Sequence, residues 1–252
     1  MISIILPTYN RASILKNTIL NVLQQSYDDI EIIIIDDSST DNTTHVVNSF
    51  NNEKINYIKH PQRKGTVQSR LTGIKYARGD FISFLDDDDV WDNNKLEIEM
   101  NNISDNVDFT LSNYIINNSI NHSTKKINLK NYAHKFNLQI TSAPGPFFQC
   151  CLFSKSFINK SLCHFESQYE PSEDWHYFLN ICPLNPKIKH INQYLFTWNF
   201  SQTSQSANYK KEWLAIEAII LNNKSIFLEF NNHSNLSLQF RKLGSYMFKL
   251  NN

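Results

Sequence analysis

The amino-acid sequence predicts an α/β protein with a mostly parallel sheet flanked by helices. Over residues 1–105, four short apolar runs alternate with segments of helical periodicity. Such alternation is typical of parallel strands that helices cover on both faces. Polar clusters follow three of these runs, and the carboxyl ends of parallel strands meet at one edge of a sheet, where ligands bind. The same pattern therefore predicts a ligand site at that edge.

The four apolar runs predict strands at residues 2–6, 31–35, 55–59 and 81–85. Apolar residues at helical spacing after the first run predict a helix that ends near Leu23, and the later helices are predicted at 41–50, 67–77 and 93–100. Right-handed crossovers join strands of this kind.

Beyond residue 105 the alternation fades. Residues 117–135 are polar, rich in asparagine and basic, which predicts a loop, and residues 143–146 predict a turn. A helix is expected to begin near Ser172, and apolar residues at helical spacing from 213 to 230 predict a C-terminal helical segment.

Composition excludes several classes of protein. The 252 residues contain 24 Lys and Arg against 24 Asp and Glu, so no global field favours nucleic acid or an anionic membrane. Apolar runs are too short to span a bilayer, and Met1 leads directly into a predicted strand, which predicts a cytoplasmic location. The four cysteines lack the CxxC spacing of zinc sites.

Four consecutive aspartates, Asp86 to Asp89, follow the fourth predicted strand. Crowded carboxylates raise one another's pKa unless a cation lies among them. A magnesium ion held by one or two carboxylates and by substrate phosphates would supply that charge. In an extended chain Asp86 and Asp88 would point the same way. Alternatively, some of these carboxylates stabilise the start of the next helix, and we expect this mainly of Asp89.

Asp36 and Asp37 end the second predicted strand, and Tyr9 follows the first. A carboxylate at a strand end can accept a hydrogen bond from the imide N3–H of uracil, and a tyrosine ring can flank the base. Alternatively, the polar residues after Asp37 cap the next helix and Tyr9 packs in the core.

Five motifs occur in order: Pro7-Thr8-Tyr9-Asn10-Arg11, Asp36 to Asp41, Ser69-Arg70 to Phe81, Phe84 to Trp91, and Glu173-Asp174-Trp175. Together they resemble the family 2 inverting glycosyltransferases of the GT-A fold, of the bacterial surface-polysaccharide type. The resemblance implies a GT-A α/β fold with a C-terminal acceptor-binding and helical extension. It also implies Mn²⁺ or Mg²⁺ as cofactor, a UDP-sugar donor, and a glycan or lipid-linked glycan acceptor.

The resemblance also implies roles for individual residues. Asp174 would be the catalytic base, Asp88 the metal ligand, and Glu173, Trp175 and His176 the acceptor-binding residues. The nucleotide would be bound by Pro7, Thr8, Tyr9, Asn10, Arg11, Asp36, Asp37, Arg70, Asp86 and Asp87. For Arg70, a structural ion pair with an aspartate is an equal alternative. At the start of a helix, Asp174 would also be kept ionised by the helix dipole.

The resemblance suggests three parts: residues 1–105 for the nucleotide sugar, 106–209 for the acceptor and the base, and 210–252 as a helical extension. This extension would pack on the catalytic part, form a dimer surface or contact a membrane peripherally. The Gln-x-x-Arg-Trp motif of processive relatives is absent from the sequence, which favours transfer of a single sugar. Residues 198–206 lack the Arg or His that relatives often carry there.

Two other functions fit part of the sequence. Asp86-x-Asp88-x-Val90 also matches the pattern of haloacid-dehalogenase-type phosphatases, although those enzymes carry it on their first strand. A nucleotide-sugar-binding module without catalysis would keep Asp37 and Asp88 but would not need Asp174.

Overall fold

The computed structural model describes residues 1–142, 147–202, 204, 207–230 and 239. The first part alternates strands and helices as predicted. Its elements are β1 (Ile2–Thr8), α1 (Ala12–Leu23), β2 (Ile30–Asp36), α2 (Thr43–Asn48), β3 (Ile55–Lys59), α3 (Thr66–Tyr76), β4 (Phe81–Phe84), β5 (Val90–Trp91) and α4 (Lys95–Met100).

The second part adds short helices and strands that pair antiparallel, except that β9 (Ile188–Phe200) runs parallel to β6 (Phe109–Asn118). Its elements are β6 (Phe109–Asn118), β7 (Ser123–Ile127), α5 (Lys130–His134), α6 (Phe136–Ser142), β8 (Leu152–Ser154), α7 (Lys155–Ser161), α8 (Glu173–Asn180), β9 (Ile188–Phe200), α9 (Tyr209–Asn222) and α10 (Lys224–Phe230). Four 3₁₀ turns lie at Phe148–Cys150, Leu162–His164, Ser167–Tyr169 and Cys182–Leu184 within the described ranges.

Within the described ranges, nine strands form one sheet in the order β3-β2-β1-β4-β8-β6-β9-β5, with β7 paired to β6. The strands β1 to β4 are parallel and β1 and β2 are fully buried, which explains their unbroken apolar sequences. Pro7 is tolerated inside β1 because β4 pairs with β1 only as far as Ile5. The α/β class predicted from sequence is confirmed.

The predicted loop at 117–135 is wrong. This segment contains the end of β6, the strand β7 and the helix α5. Four of the five residues of β7 are exposed, and β7 pairs only with β6 among the described strands. Because an exposed edge strand buries little apolar surface, its sequence lacks the hydrophobic signal by which strands are predicted. The turn predicted at 143–146 lies outside the described residues.

The predicted C-terminal helical segment is present as α9 and α10, which are separated at Asn223. The division of the chain near residue 105 stays a prediction. The strand β5 of the first part pairs with β9 of the second, so one sheet extends through both.

Buried Glu31 on β2 connects three neighbouring segments. Its Oε1 accepts hydrogen bonds of 2.6 Å from Ser3 Oγ and of 2.6 Å from the backbone N–H of Arg78, and Oε2 accepts one of 2.8 Å from Arg78 Nε. Burial alone would raise the pKa of Glu31, but the hydrogen bonds from Ser3 and Arg78 outweigh it and lower that pKa. Ionised Glu31 therefore stabilises the fold beneath the site.

Replacing Glu31 by glutamine (Glu31→Gln) should lower the free energy of unfolding at pH 7 by about 1–3 kcal/mol, because charge-assisted hydrogen bonds are lost. The pKa of Glu31 is lowered in the folded state. Its contribution is thus fully present above the ordinary glutamate pKa and is lost as the pH falls through the folded-state value. Urea unfolding from pH 7 to pH 3 measures this, with exposed Glu53→Gln as control. Equal stability of wild type and Glu31→Gln at pH 7 would contradict the prediction.

Candidate functional site

A cavity of about 1130 Å³ opens at the carboxyl ends of β1 and β4 and extends to α8, β9 and α9. The structure brings together the predicted clusters after β1 and β4 and the predicted acidic pair of α8. The predicted site residues that line this cavity are Pro7, Thr8, Tyr9, Arg11, Asp37, Arg70, Asp86, Asp87, Asp88, Glu173, Asp174 and Trp175.

Three predicted site residues lie elsewhere and hold loops or helices in place. Asn10 adopts φ 53° and its Oδ1 accepts a hydrogen bond of 2.8 Å from the backbone N–H of Thr40. Asp36 is fully buried. His176 is also buried, and its ring stacks on that of Tyr169 with 3.8 Å between the centroids. The expectation that Asp36 and His176 contact a ligand is therefore wrong, because both side chains are buried. The role of Asn10, which is exposed, stays a prediction.

Asp36 illustrates why strand-end position alone is insufficient. Its carboxylate accepts a hydrogen bond from the Tyr57 hydroxyl at 2.5 Å and one from the backbone N–H of Ser39 at 2.7 Å. Both partners belong to the protein, so this carboxylate stabilises the turn after β2. Its neighbour Asp37 is the one that reaches the cavity.

The guanidinium of Arg70, 2% exposed, lies at the centre of the site and contacts three carboxylates. Nη1 lies 2.6 Å from Glu173 Oε1 and 3.5 Å from Asp174 Oδ1, and Nη2 lies 3.0 Å from Asp86 Oδ1. The guanidinium carbon also lies 5.0 Å from the ring centroid of Phe148. Of the two alternatives for Arg70, the structural ion pair is the one observed.

The four aspartates form a turn rather than an extended strand. The strand β4 ends at Phe84, and the backbone N–H of Asp89 donates to the carbonyl of Asp86 at 3.3 Å. The predicted alternation of their side chains is therefore wrong, because it requires extended backbone. Each carboxylate has a different partner outside the turn.

Asp87 accepts a hydrogen bond of 2.6 Å from Thr8 Oγ1, and Asp88 lies 3.5 Å from Arg11 Nη1. Asp89, 2% exposed, accepts one of 2.9 Å from the backbone N–H of Asn199 on β9. The prediction that Asp89 mainly starts a helix is wrong, since β5 separates it from α4. It connects the turn to β9 instead.

Burial and crowding raise the pKa values of these carboxyl groups, as their clustering predicts. Burial, the larger cause, raises the pKa of Asp87 to about 7, although the Thr8 hydrogen bond opposes it. Burial and the Asp86 charge also raise the pKa values of Asp88 and Asp89. Added positive charge at this turn would therefore favour release of protons.

Asp37 holds the loop that precedes α3. Its Oδ1 lies 2.9 Å from His60 Nδ1 and accepts a hydrogen bond of 2.8 Å from the backbone N–H of Lys64. Its Oδ2 accepts one of 2.8 Å from the N–H of Gly65, which adopts φ 92°. Arg63 Nε lies 3.9 Å from the same Oδ2, so a ligand at Asp37 would share this oxygen with Gly65 and Arg63.

Asp174 lies in the first turn of α8, and its Oδ2 accepts a hydrogen bond of 3.0 Å from the backbone N–H of Phe148. The pKa of Asp174 is raised to about 8, chiefly by burial; Arg70 opposes the rise, and Glu173 and Asp86 add to it. Burial and two neighbouring carboxylates therefore oppose the effect expected from the start of the helix.

Trp175 and Glu173 line the cavity but already have protein partners. Trp175 is 2% exposed and donates from Nε1 to the carbonyl of Ile140 at 2.8 Å. Glu173 is bound to Arg70. Little of either side chain is therefore accessible for the predicted contact with an acceptor.

Several lining residues were missed from sequence. Gln149 donates to Asp86, and Glu170 Oε1 accepts a hydrogen bond of 2.8 Å from the backbone N–H of Val67 at the start of α3. Arg63 lies over the ring of Tyr9, with its guanidinium carbon 4.0 Å from the centroid. Sequence reasoning considered Arg63 for contact with phosphate but favoured a solvated basic loop, whereas Gln149 and Glu170 gave no sequence signal.

The donor set at the turn suits a hard cation. Among the described residues, no group of three or more His, Cys, Asp or Glu side chains is placed to hold a metal ion. The side chains of Asp86 and Asp88 are 34% and 24% exposed and line the cavity. In nucleotide sites, Mg²⁺ is usually bound by one or two carboxylates together with substrate phosphates. The residues present fit such an ion.

The α/β sheet, with its carboxylate turn at the end of β4, defines a GT-A fold. The sequence profile of glycosyl transferase family 2 matches residues 3–162. The chain belongs to this family. The matched residues include the aspartate turn and Arg70 but end before Asp174.

Two Escherichia coli relatives are UDP-Glc:alpha-D-GlcNAc-diphosphoundecaprenol beta-1,3-glucosyltransferases. WfgD is 40% identical over 121 residues, which are 47% of this chain and 48% of WfgD. WfaP is 38% identical over 117 residues, which are 46% of this chain and 47% of WfaP. The chain thus spans about half the length of the curated relatives it matches.

Solved structures show the same fold at low sequence identity. TarS residues 1–349 of S. aureus, in complex with UDP-GlcNAc, superpose with a TM-score of 0.69 and 16% identity over 98% of this chain and 71% of that chain. The mannosyltransferase PcManGT of Pyrobaculum calidifontis, with GDP-Man and Mn2+, gives a TM-score of 0.68 and 14% identity over 97% and 74%. In the part of the chain that the structure describes, no helix has the length and apolarity to cross a membrane.

Replacing Arg70 by methionine (Arg70→Met) should lower the free energy of unfolding at pH 7 by about 3–5 kcal/mol, because three carboxylates lose a buried cation. Urea unfolding measures the change. Lys75→Met is the matched control, since Lys75 is exposed on the same helix. If both variants are equally stable, Arg70 does not hold the site together.

Proposed function

We propose that this chain transfers one sugar from a UDP-sugar to a glycan acceptor with inversion, in the synthesis of a bacterial surface polysaccharide. The observation that carries the proposal is the position of Arg70, which binds both the aspartate turn and Asp174 within one cavity. The nucleotide half and the acceptor half are thereby held in a defined relation. Family membership supports glycosyl transfer and weighs against the phosphatase alternative.

The uridine would lie between Tyr9 and Asp37. The ring of Tyr9 is already backed by Arg63, and the carboxylate of Asp37, which lines the cavity, would accept a hydrogen bond from the imide N3–H. Thr8, Pro7 and Arg11 line the adjoining wall, and Asp86 and Asp87 would face the ribose and the diphosphate. Cytosine lacks this N3–H, so the proposal favours UDP-sugars over CDP-sugars.

Asp88 would bind Mn²⁺ or Mg²⁺, with Asp86 beside it. A bound divalent ion supplies the positive charge that stabilises the departing nucleoside diphosphate. Arg11, 3.5 Å from Asp88, adds a second positive charge at the same edge of the cavity. The raised pKa values of Asp87 and Asp88 support a site that is built to receive positive charge.

Asp174 would act as the base. Its carboxylate takes the proton of the acceptor hydroxyl while that oxygen forms a bond to the anomeric carbon. The bond from this carbon to the diphosphate oxygen breaks on the opposite face, which inverts the configuration. The N–H of Phe148 and Arg70 fix the orientation of the Asp174 carboxylate.

The names of the two Escherichia coli relatives suggest the acceptor class, a lipid-linked sugar diphosphate. A location at the inner face of the cytoplasmic membrane would follow from such an acceptor. A binding module without catalysis is the remaining alternative, and the role of Asp174 separates the two.

Replacing Asp88 by asparagine (Asp88→Asn) should weaken Mn²⁺-dependent binding of UDP at least about tenfold, because a charged ligand is lost. Calorimetry with and without Mn²⁺ measures this, with Asp105→Asn on an exposed loop as control. Unchanged binding would place the metal elsewhere.

Replacing Asp174 by asparagine (Asp174→Asn) should leave UDP binding within a few-fold of wild type but lower transfer about 10²–10⁴-fold, the usual contribution of a general base. In wild type, transfer should rise with pH up to about 8, because the pKa of Asp174 is raised to about 8 and only the ionised form accepts a proton. Rates on UDP-glucose with a synthetic GlcNAc-diphosphate acceptor measure both. Substantial residual transfer would remove Asp174 as the base.

A further inference from the structure

The half of the cavity that faces away from β1 has its own chemistry. A volume of about 1130 Å³ exceeds the range of about 300–1,000 Å³ typical of single small-molecule sites. The nucleotide motifs account for one wall. The lining from the second part of the chain includes Phe147, Trp198, Tyr209, Lys210 and Lys211, and none of these belongs to the five motifs that carry the family resemblance.

Trp198 lies next to a residue that is bound to the aspartate turn, and its ring contacts a residue that adjoins the partner of Asp174. The next residue, Asn199, donates from its backbone to Asp89 at 2.9 Å and from Nδ2 to the carbonyl of Asp88 at 2.8 Å. The ring of Trp198 lies 5.0 Å from that of Phe147, measured between centroids. Phe147 precedes the residue whose N–H binds Asp174. This aromatic pair therefore extends from the aspartate turn to the proposed base.

The aromatic pair is suited to the apolar face of a sugar ring. Trp198 and Phe147 are both half-buried and line the cavity, so part of each ring is accessible to a ligand. Trp175, which sequence analysis favoured for this role, is 2% exposed and has its indole N–H bound. An aromatic ring with a polar edge is a usual platform for an amphipathic ligand.

Two cations lie on the same wall, in the first turn of α9. Lys211 favours the ionised form of Glu170, so part of its charge is used within the protein. Lys210 is exposed, and within the described ranges its ammonium has no ion pair. The adjacent Glu212 is partly buried, which raises its pKa and weakens its opposing charge. The wall thus offers positive charge to an anionic group.

We propose that this wall binds a sugar that carries an anionic diphosphate, with the sugar ring on Trp198 and the diphosphate at Lys210. The inference rests on the proposed function and deepens it, because it assigns the acceptor subsite to residues of β9 and α9. The sugar hydroxyl would then face Asp174, while the diphosphate and any attached lipid point towards α9.

Calorimetry on the full chain, saturated with UDP and Mn²⁺, tests this with three probes: decyl diphosphate-linked N-acetylglucosamine, the neutral decyl glycoside, and N-acetylglucosamine 1-phosphate. Wild type should bind the diphosphate at least about tenfold more tightly than the neutral glycoside, the size expected for a charge-assisted contact. Lys210→Gln should abolish this preference. Trp198→Leu should weaken binding of the diphosphate and of the neutral glycoside by the same factor, about three- to tenfold.

Lys224→Gln on α10 and Tyr194→Leu on β9 are matched controls, because neither residue lines the cavity. Binding of N-acetylglucosamine 1-phosphate close to that of the diphosphate would show that the anion is recognised without the lipid. The inference is overturned if the wild type shows no preference for the diphosphate, or if the Lys210→Gln variant keeps that preference. In either case, continued binding of UDP would leave the proposed function intact. Failure of wild type to bind UDP would defeat the proposed function itself.

Discussion

The buried guanidinium of Arg70 is the interaction on which the rest of the site depends. A cation at 2% exposure is costly unless it is compensated, and here three carboxylates from two distant segments do so. Asp86 follows β4, whereas Glu173 and Asp174 start α8. Because the arginine side chain comes from α3, one charged group sets the relative position of three elements. The cavity exists where these elements meet.

Charge balance then explains how four adjacent aspartates are tolerated. Each is stabilised from a different direction: Asp86 by Arg70, Asp87 by Thr8, Asp88 by Arg11 and Asp89 by the backbone of Asn199. Two arginines thus already supply part of the positive charge that crowding demands. Burial still raises the pKa values of Asp87, Asp88 and Asp89, so the turn retains an affinity for further positive charge.

The polar groups at the carboxyl edge of the sheet could be predicted well because their signals are local. Apolar runs that end in polar residues place those residues at the carboxyl edge of a parallel sheet, and Tyr9, Asp37 and Asp88 lie there as predicted. Asp36 shows the limit of this reasoning, since its side chain turns into the protein. Trp198 and Lys210 could not be predicted, because their place in the cavity depends on the pairing of β9 and the packing of α9.

The sequence by itself determined the fold class and the edge of the sheet at which the polar clusters converge, because strand periodicity and chain direction are local properties. It also determined the kinds of chemical groups at the site. Only the tertiary structure decided which partner each group has: Arg70 with three carboxylates, Asp89 with β9, and Asp174 with the N–H of Phe148. These contacts join residues far apart in the chain: α3 with α8, a 3₁₀ turn with α8, and the aspartate turn with β9. Their geometry therefore follows from packing rather than from spacing.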